Sequence, residues 1–175
     1  DQVIAVDTTG QLWSWGDSVC THLSPRESSI AGKPSRIVGA TGFATVAAGY
    51  CESYGLKPDG TVWKFSRAGN SQVAFPSGIV EIAARGRHVL ARRNDGTVWA
   101  TGENTNGQLG QGHANVVGGV VQVPGLANVT AIAAGLSSSA AILATGELRF
   151  WGNLGGPAFT SPTALTGLGG SATSV

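Results

Sequence analysis

Between residues 102 and 112 the chain reads GENTNGQLGQG. Glycines at this density are what a phosphate-binding loop uses to bring backbone N–H groups against an anion. The continuation excludes that chemistry. A P-loop ends in Gly-Lys-Ser/Thr and opens a helix, whereas the next residues, HANVVGGVVQV, hold no lysine and carry a strand pattern. A dinucleotide fold fails for the same want of a helix. Glycine's tolerance of positive φ explains the loop as a connection between strands, and no cofactor is expected.

A second group with chemical potential is the basic cluster Arg85, Arg87, His88, Arg92 and Arg93. It could meet phosphate or an acidic protein surface. Strand alternation puts Arg92 and Arg93 on opposite faces, and no adjacent aromatic run offers a base-stacking platform, so nucleic acid is not the expected partner. A formal net charge of +1 supplies no long-range field toward nucleic acid or an anionic membrane. Arg85, Arg87, His88 and Arg92, with Asn104 and Asn106 of the glycine-rich loop, make the expected protein-interaction patch. Its alternative is a set of solvated rim residues.

The remaining reactive side chains do not converge. His22, His88 and His113 lack ligand spacing, and the 10 acidic residues are scattered, so neither a metal site nor a catalytic triad is expected and the chain does not read as an enzyme. Cys20 and Cys51 are too few for a cysteine-built zinc site; they make one disulfide in an oxidising compartment or remain two thiols. Asn128-Val129-Thr130 matches a glycosylation sequon by pattern alone.

The elements that hold these residues are repeated. DTTGQLWSWGD (7–17), KPDGTVWKFSR (57–67), RNDGTVWATGE (93–103) and LATGELRFWGN (143–153) align on Gly10, Gly60, Gly96 and Gly146, spaced by 50, 36 and 50 residues. A second segment precedes three of them, with Ala47, Ala83 and Ala133 at the same 36 and 50 spacing. Each unit therefore has a fixed core and one variable loop. Asp-Gly between two β-rich runs predicts a hairpin with a type I′ turn, and the unit reads as a small antiparallel meander. Trp13, Trp63 and Trp99 align with Arg149; two positions on stand Trp15, Phe65, Thr101 and Trp151. Positions two apart share a strand face, which predicts packing between units, with an exposed binding surface as the alternative.

Composition agrees with an all-β chain: 42% hydrophobic, 12% charged and 27 glycines favour short strands and tight turns. No stretch reaches the ~18 apolar residues of a spanning helix. Sparse charge and abundant small residues incline the reading toward a secreted or cell-surface protein. One meander cannot bury both faces, so neighbouring units must stack, and a β-propeller of four-stranded blades meets that need.

The in-register recurrence resembles the repeats of the regulator of chromosome condensation family, most fully in IVEIAARGRHVLARRNDGTVWATGENTNGQLGQG (79–112). The resemblance implies an RCC1-like β-propeller, here a partial ring of about four repeats with units near 1–37, 38–76, 77–124 and 125–175, cut within a blade at both ends. It also implies a non-enzymatic module that binds a protein through rim loops, including 17–33 and 102–119. A structural module whose partial ring closes by self-association or with further blades is the alternative, and an exchange-factor-like regulator or an enzyme inhibitor follows from the family alone.

Overall fold

The computed structural model describes residues 2–16 and 33–166, and every regular element among them is a β-strand. Fifteen strands form four consecutive antiparallel meanders. Blade 1 holds β1 (Gln2–Val6), β2 (Leu12–Gly16) and β3 (Ser35–Arg36); blade 2 holds β4 (Thr45–Ala48), β5 (Ser53–Leu56), β6 (Val62–Ser66) and β7 (Gly69–Val73). Blade 3 comprises β8 (Ile79–Ala84), β9 (His88–Arg93), β10 (Val98–Gly102) and β11 (Val121–Gln122), and blade 4 comprises β12 (Val129–Ala134), β13 (Ser138–Leu143), β14 (Leu148–Gly152) and β15 (Phe159–Ala164). Among the described residues blade 1 is three-stranded and the array does not close into a ring.

The repeated glycine makes the hairpin of each blade, though not by the expected type I′ turn. In blade 2 the Gly60 N–H donates to the Lys57 carbonyl at 3.0 Å, and the Lys57 N–H donates to Thr61 at 2.9 Å. Blade 3 repeats both bonds between Gly96 and Arg93 and between Arg93 and Thr97, each at 2.9 Å. Only the glycines are left-handed, with φ of +83° at Gly60 and +78° at Gly96, while Asp59 and Asp95 are not. The loop is a type I turn closed by a left-handed glycine, the three-residue hairpin with a bulge. The aspartate is chosen for its side chain: Asp59 accepts the Thr61 N–H at 2.9 Å and its hydroxyl at 2.7 Å, and Asp95 does the same for Thr97 at 3.0 and 2.7 Å. These bonds hold both carboxyl groups below the ordinary aspartate range.

Because strand side chains alternate, each blade presents one set of residues to each neighbour. Between blades 1 and 2, Leu12, Ile37, Ala40, Phe43 and Phe65 are buried, with Phe43 edge-on to Phe65 at 5.4 Å between ring centroids. Tyr54, Leu56, Val62, Ile79, Ile82, Val89 and Ala91 fill the second interface. The third holds Leu90, Val98, Ala100, Leu109, Val123, Leu126, Val129, Ile132, Ala141 and Trp151. On β9, Val89 and Ala91 thus face one neighbour and Leu90 the other. The tryptophans expected at the interfaces divide in two: Trp151 is fully buried, whereas Trp13, Trp15, Trp63 and Trp99 are half-buried. Arg36 stacks over Trp13 and Lys57 over Trp63, each 5.2 Å from the ring, so the blade edges cover these indoles with cations.

Candidate functional site

An antiparallel meander sends its first turn and its third connection to the same end of the blade. In blades 2 to 4 that end carries the inner turns Gly49–Glu52, Arg85–Arg87 and Gly135–Ser137, together with the long connections 103–120 and 153–158. The opposite end carries the glycine hairpins and the crossings between blades. Arg85, Arg87, Asn104 and Asn106 share the first end. Arg92 lies at the other end of β9 and pairs with Glu81, whose second oxygen accepts the Ile132 N–H at 3.2 Å. Arg92 is therefore an inter-blade clamp and leaves the expected patch.

The inner turns are joined to one another. The Tyr50 N–H donates to the Gly86 carbonyl at 2.8 Å, and the Gly86 N–H donates to Gly135 at 3.2 Å. Stacking is so close that a Cβ on Gly86 would lie 1.9 Å from the Leu136 carbonyl oxygen. A cleft of about 660 Å³ opens beside these turns, lined by Tyr50, Cys51, Glu52, Lys64, Gly86, Arg87, Gly102 and Glu103. Its charges are partly spent: Glu52 pairs with Lys64 at 3.0 Å and accepts the Tyr54 hydroxyl at 2.7 Å. Burial, followed by that bond to Glu52, pushes the Tyr54 phenol well above its ordinary range. Arg87 stacks over Tyr50 at 5.2 Å. At the rim, Tyr50 is 56% exposed and Leu136 is 65% exposed.

Two members of the expected patch are internal. Asn104 is 2% exposed and organises the glycine-rich loop, donating to the His113 and Asn115 carbonyls and accepting the Leu109 N–H, all at 2.9 Å. Leu109 enters the third core cluster, and Gly110, with φ of +69°, packs against Val123 and Trp151. The loop is a folded plug. Asn106 is half-buried, its N–H bound by the Gln108 side chain at 2.8 Å.

His88 is fully buried beneath that plug. Its Nε2 lies 2.9 Å from the Ser139 hydroxyl, which donates to the Gln108 carbonyl at 2.9 Å, and the Trp151 indole N–H reaches the same carbonyl at 2.8 Å. With the serine proton committed to Gln108, Nε2 must donate, which assigns the neutral Nε2–H tautomer and leaves Nδ1 without a partner. Burial drives the His88 pKa down to about 4, since a second proton would charge an enclosed ring. His88 therefore joins blade 3 to blade 4 and does not meet a partner.

Cys20 and residues 17–32 of the expected rim loop lie outside the described residues, as does His22. Cys51 lines the cleft. Among the described residues no group of three or more potential metal ligands converges. Sequence reasoning missed Tyr50 and Leu136. Their signal was available, because they and Gly86 occupy the same repeat position, spaced by 36 and 50 residues.

Packed four-stranded meanders with buried faces between them define a β-propeller. Residues 95–142 match the model of the regulator of chromosome condensation (RCC1) repeat, and residues 79–108 match a second RCC1 repeat model. The chain is an RCC1-like β-propeller, a protein-interaction fold. Over 85% of its length it is 29% identical to the mitochondrial RCC1 domain-containing protein RUG3 of Arabidopsis thaliana, covering 39% of that protein. It is 28% identical over 80% of its length to the human E3 ubiquitin-protein ligase HERC2, covering 3% of it. The fold matches Prp20p of Saccharomyces cerevisiae with a TM-score of 0.81 at 18% identity, over 96% of this chain and 49% of that one. Human WBSCR16 matches with a TM-score of 0.76 at 16% identity, over 94% and 50%. The chain thus spans at most half the length of these proteins. Prp20p was described with binding to Gsp1p and histones, and in a complex with Kap60.

Proposed function

We propose that this chain is a non-enzymatic module that binds a protein partner through the end face built from the inner turns and long connections. The observation that carries the reading is the placement of large apolar side chains there: Tyr50, Val116, Leu136 and Leu154 are all well exposed at this end, beside the guanidinium groups of Arg85 and Arg87. Aromatic and arginine side chains are the residues that dominate interface energetics. The turns beneath them are hydrogen-bonded in series, so little ordering entropy is lost when a partner docks. The described protein contacts of Prp20p support the class of function and leave the partner open. A photo-crosslinking residue placed at Val116 or Leu154 is expected to capture a discrete partner in cells of the source organism, and the same residue at Asp59, on the opposite end, is not. Equal capture from both ends would overturn the assignment of the face.

A second reading rests on the three-stranded state of blade 1 among the described residues and on the open array. Among the described residues β1 has one partner strand, and a strand edge of that kind invites pairing with a further strand, from another blade or a second copy. Solution mass separates the readings: a ligand-free dimer favours closure by self-association, and a monomer removes it.

A further inference from the structure

Gly86 stands where the neighbouring blades carry Tyr50 and Leu136. The hydrogen-bonded inner turns hold these three positions side by side, and a notch opens between the Tyr50 and Leu136 side chains. Its volume is about 210 Å³, with Tyr50 and Leu136 as walls, the Gly86 backbone as floor, and Arg87, Glu103 and Ser137 at the edge. A drug-sized ligand needs roughly 300–1,000 Å³, so the notch suits one side chain and not a cofactor.

The surrounding charge limits which side chains can lie beside it. Lys64, Arg92, Arg93 and Arg149 each have a carboxylate partner, whereas Arg85 and Arg87 form no ion pair among the described residues. Glu52 is neutralised by Lys64, whereas Glu103, which accepts the Thr105 hydroxyl at 2.8 Å, keeps its charge at the notch edge with Arg87, so the two unpaired guanidinium groups of this turn, Arg85 and Arg87, meet one unpaired carboxylate. Stacking on Tyr50 fixes the Arg87 plane while leaving its N–H edges free, the arrangement that receives a carboxylate through two parallel bonds.

We propose that the notch receives one bulky apolar side chain of a protein partner, from a segment whose flanking acidic residues pair with Arg87 and Arg85. The proposal rests on the reading of this end as the binding face. It is tested by titrating the ¹⁵N-labelled chain with acetyl-Gly-Asp-Leu-Asp-Gly-amide and following backbone amide shifts. Saturable shifts are expected at Tyr50, Gly86, Arg87 and Leu136, with a Kd on the order of 1 mM for so short a segment. The peptides with Lys in place of Asp, or Gly in place of Leu, are expected to bind at least about tenfold more weakly. Arg87→Glu, at an exposed position, is expected to weaken the acidic peptide about tenfold and to improve binding of the lysine peptide. Equal binding of all three peptides, an unchanged affinity in R87E, or no saturable shift up to about 10 mM would overturn the notch assignment. Crosslinking from Val116 or Leu154 without peptide binding removes this proposal alone; failure of both removes the reading of the face as well.

Discussion

Acidification from pH 7 to pH 5 is expected to remove about 2 kcal/mol of stability through His88 alone. In the folded protein the imidazole titrates at about 4, because burial of the ring disfavours its charged form. The unfolded chain titrates near the ordinary value of 6.5. Between those values the unfolded state binds the extra proton and the folded state does not, so stability is fully present above pH 6.5 and falls as pH is lowered toward 4. The full difference is about 3 kcal/mol, and most of it is spent by pH 5. The assay is urea unfolding at pH 7 and pH 5 for the parent chain and for His88→Gln, whose amide can still donate to the Ser139 hydroxyl without titrating. The variant should lose less stability than the parent on acidification, by about 2 kcal/mol. An equal loss in both proteins, or a measured His88 pKa near 6.5, would refute the buried neutral tautomer.

Gly86→Ala places a methyl where the Leu136 carbonyl oxygen lies 1.9 Å away, and it should cost about 1–3 kcal/mol in urea unfolding by forcing adjacent inner turns apart. Parent-like stability would show that the turns do not stack. Asn104→Ala removes three hydrogen bonds that shape the plug; about 2 kcal/mol of lost stability and faster amide exchange over residues 105–112 are expected, and unchanged exchange would contradict its role. Trp151→Phe leaves the Gln108 carbonyl with the Ser139 hydroxyl alone and should cost about 1 kcal/mol, read from the same unfolding curves. In an oxidising buffer, peptide mapping without reduction is expected to show Cys20 joined to Cys51, and two alkylated cysteines would refute the pairing.

The all-β class and the stacking of repeats were legible because they depend on local rules. The recurring glycine marks the hairpin, and apolar residues in strand alternation mark two buried faces per blade. Turn type was misread because Asp-Gly is compatible with more than one hairpin geometry; the aspartate bonds to Thr61 and Thr97, visible only in three dimensions, accompany the type I form with its left-handed glycine. Arg85 and Arg87 reach the surface, but a basic cluster in sequence does not reveal that β9 carries Arg92 to the far end of the blade, where it pairs with Glu81.

The sequence by itself determined the repeat, its four hairpins and the alternation that lets blades stack, since each depends on residues within about a dozen positions of one another. Only the tertiary structure decided which side chains meet between blades. His88 becomes a buried link because Ser139 and Gln108, 51 and 31 residues apart from their partners in chain order, converge on it. The notch exists because the Tyr50, Gly86 and Leu136 turns are brought into contact by inter-blade hydrogen bonds. Periodicity states which face a side chain takes; which neighbour it meets there is set by the packing of distant segments.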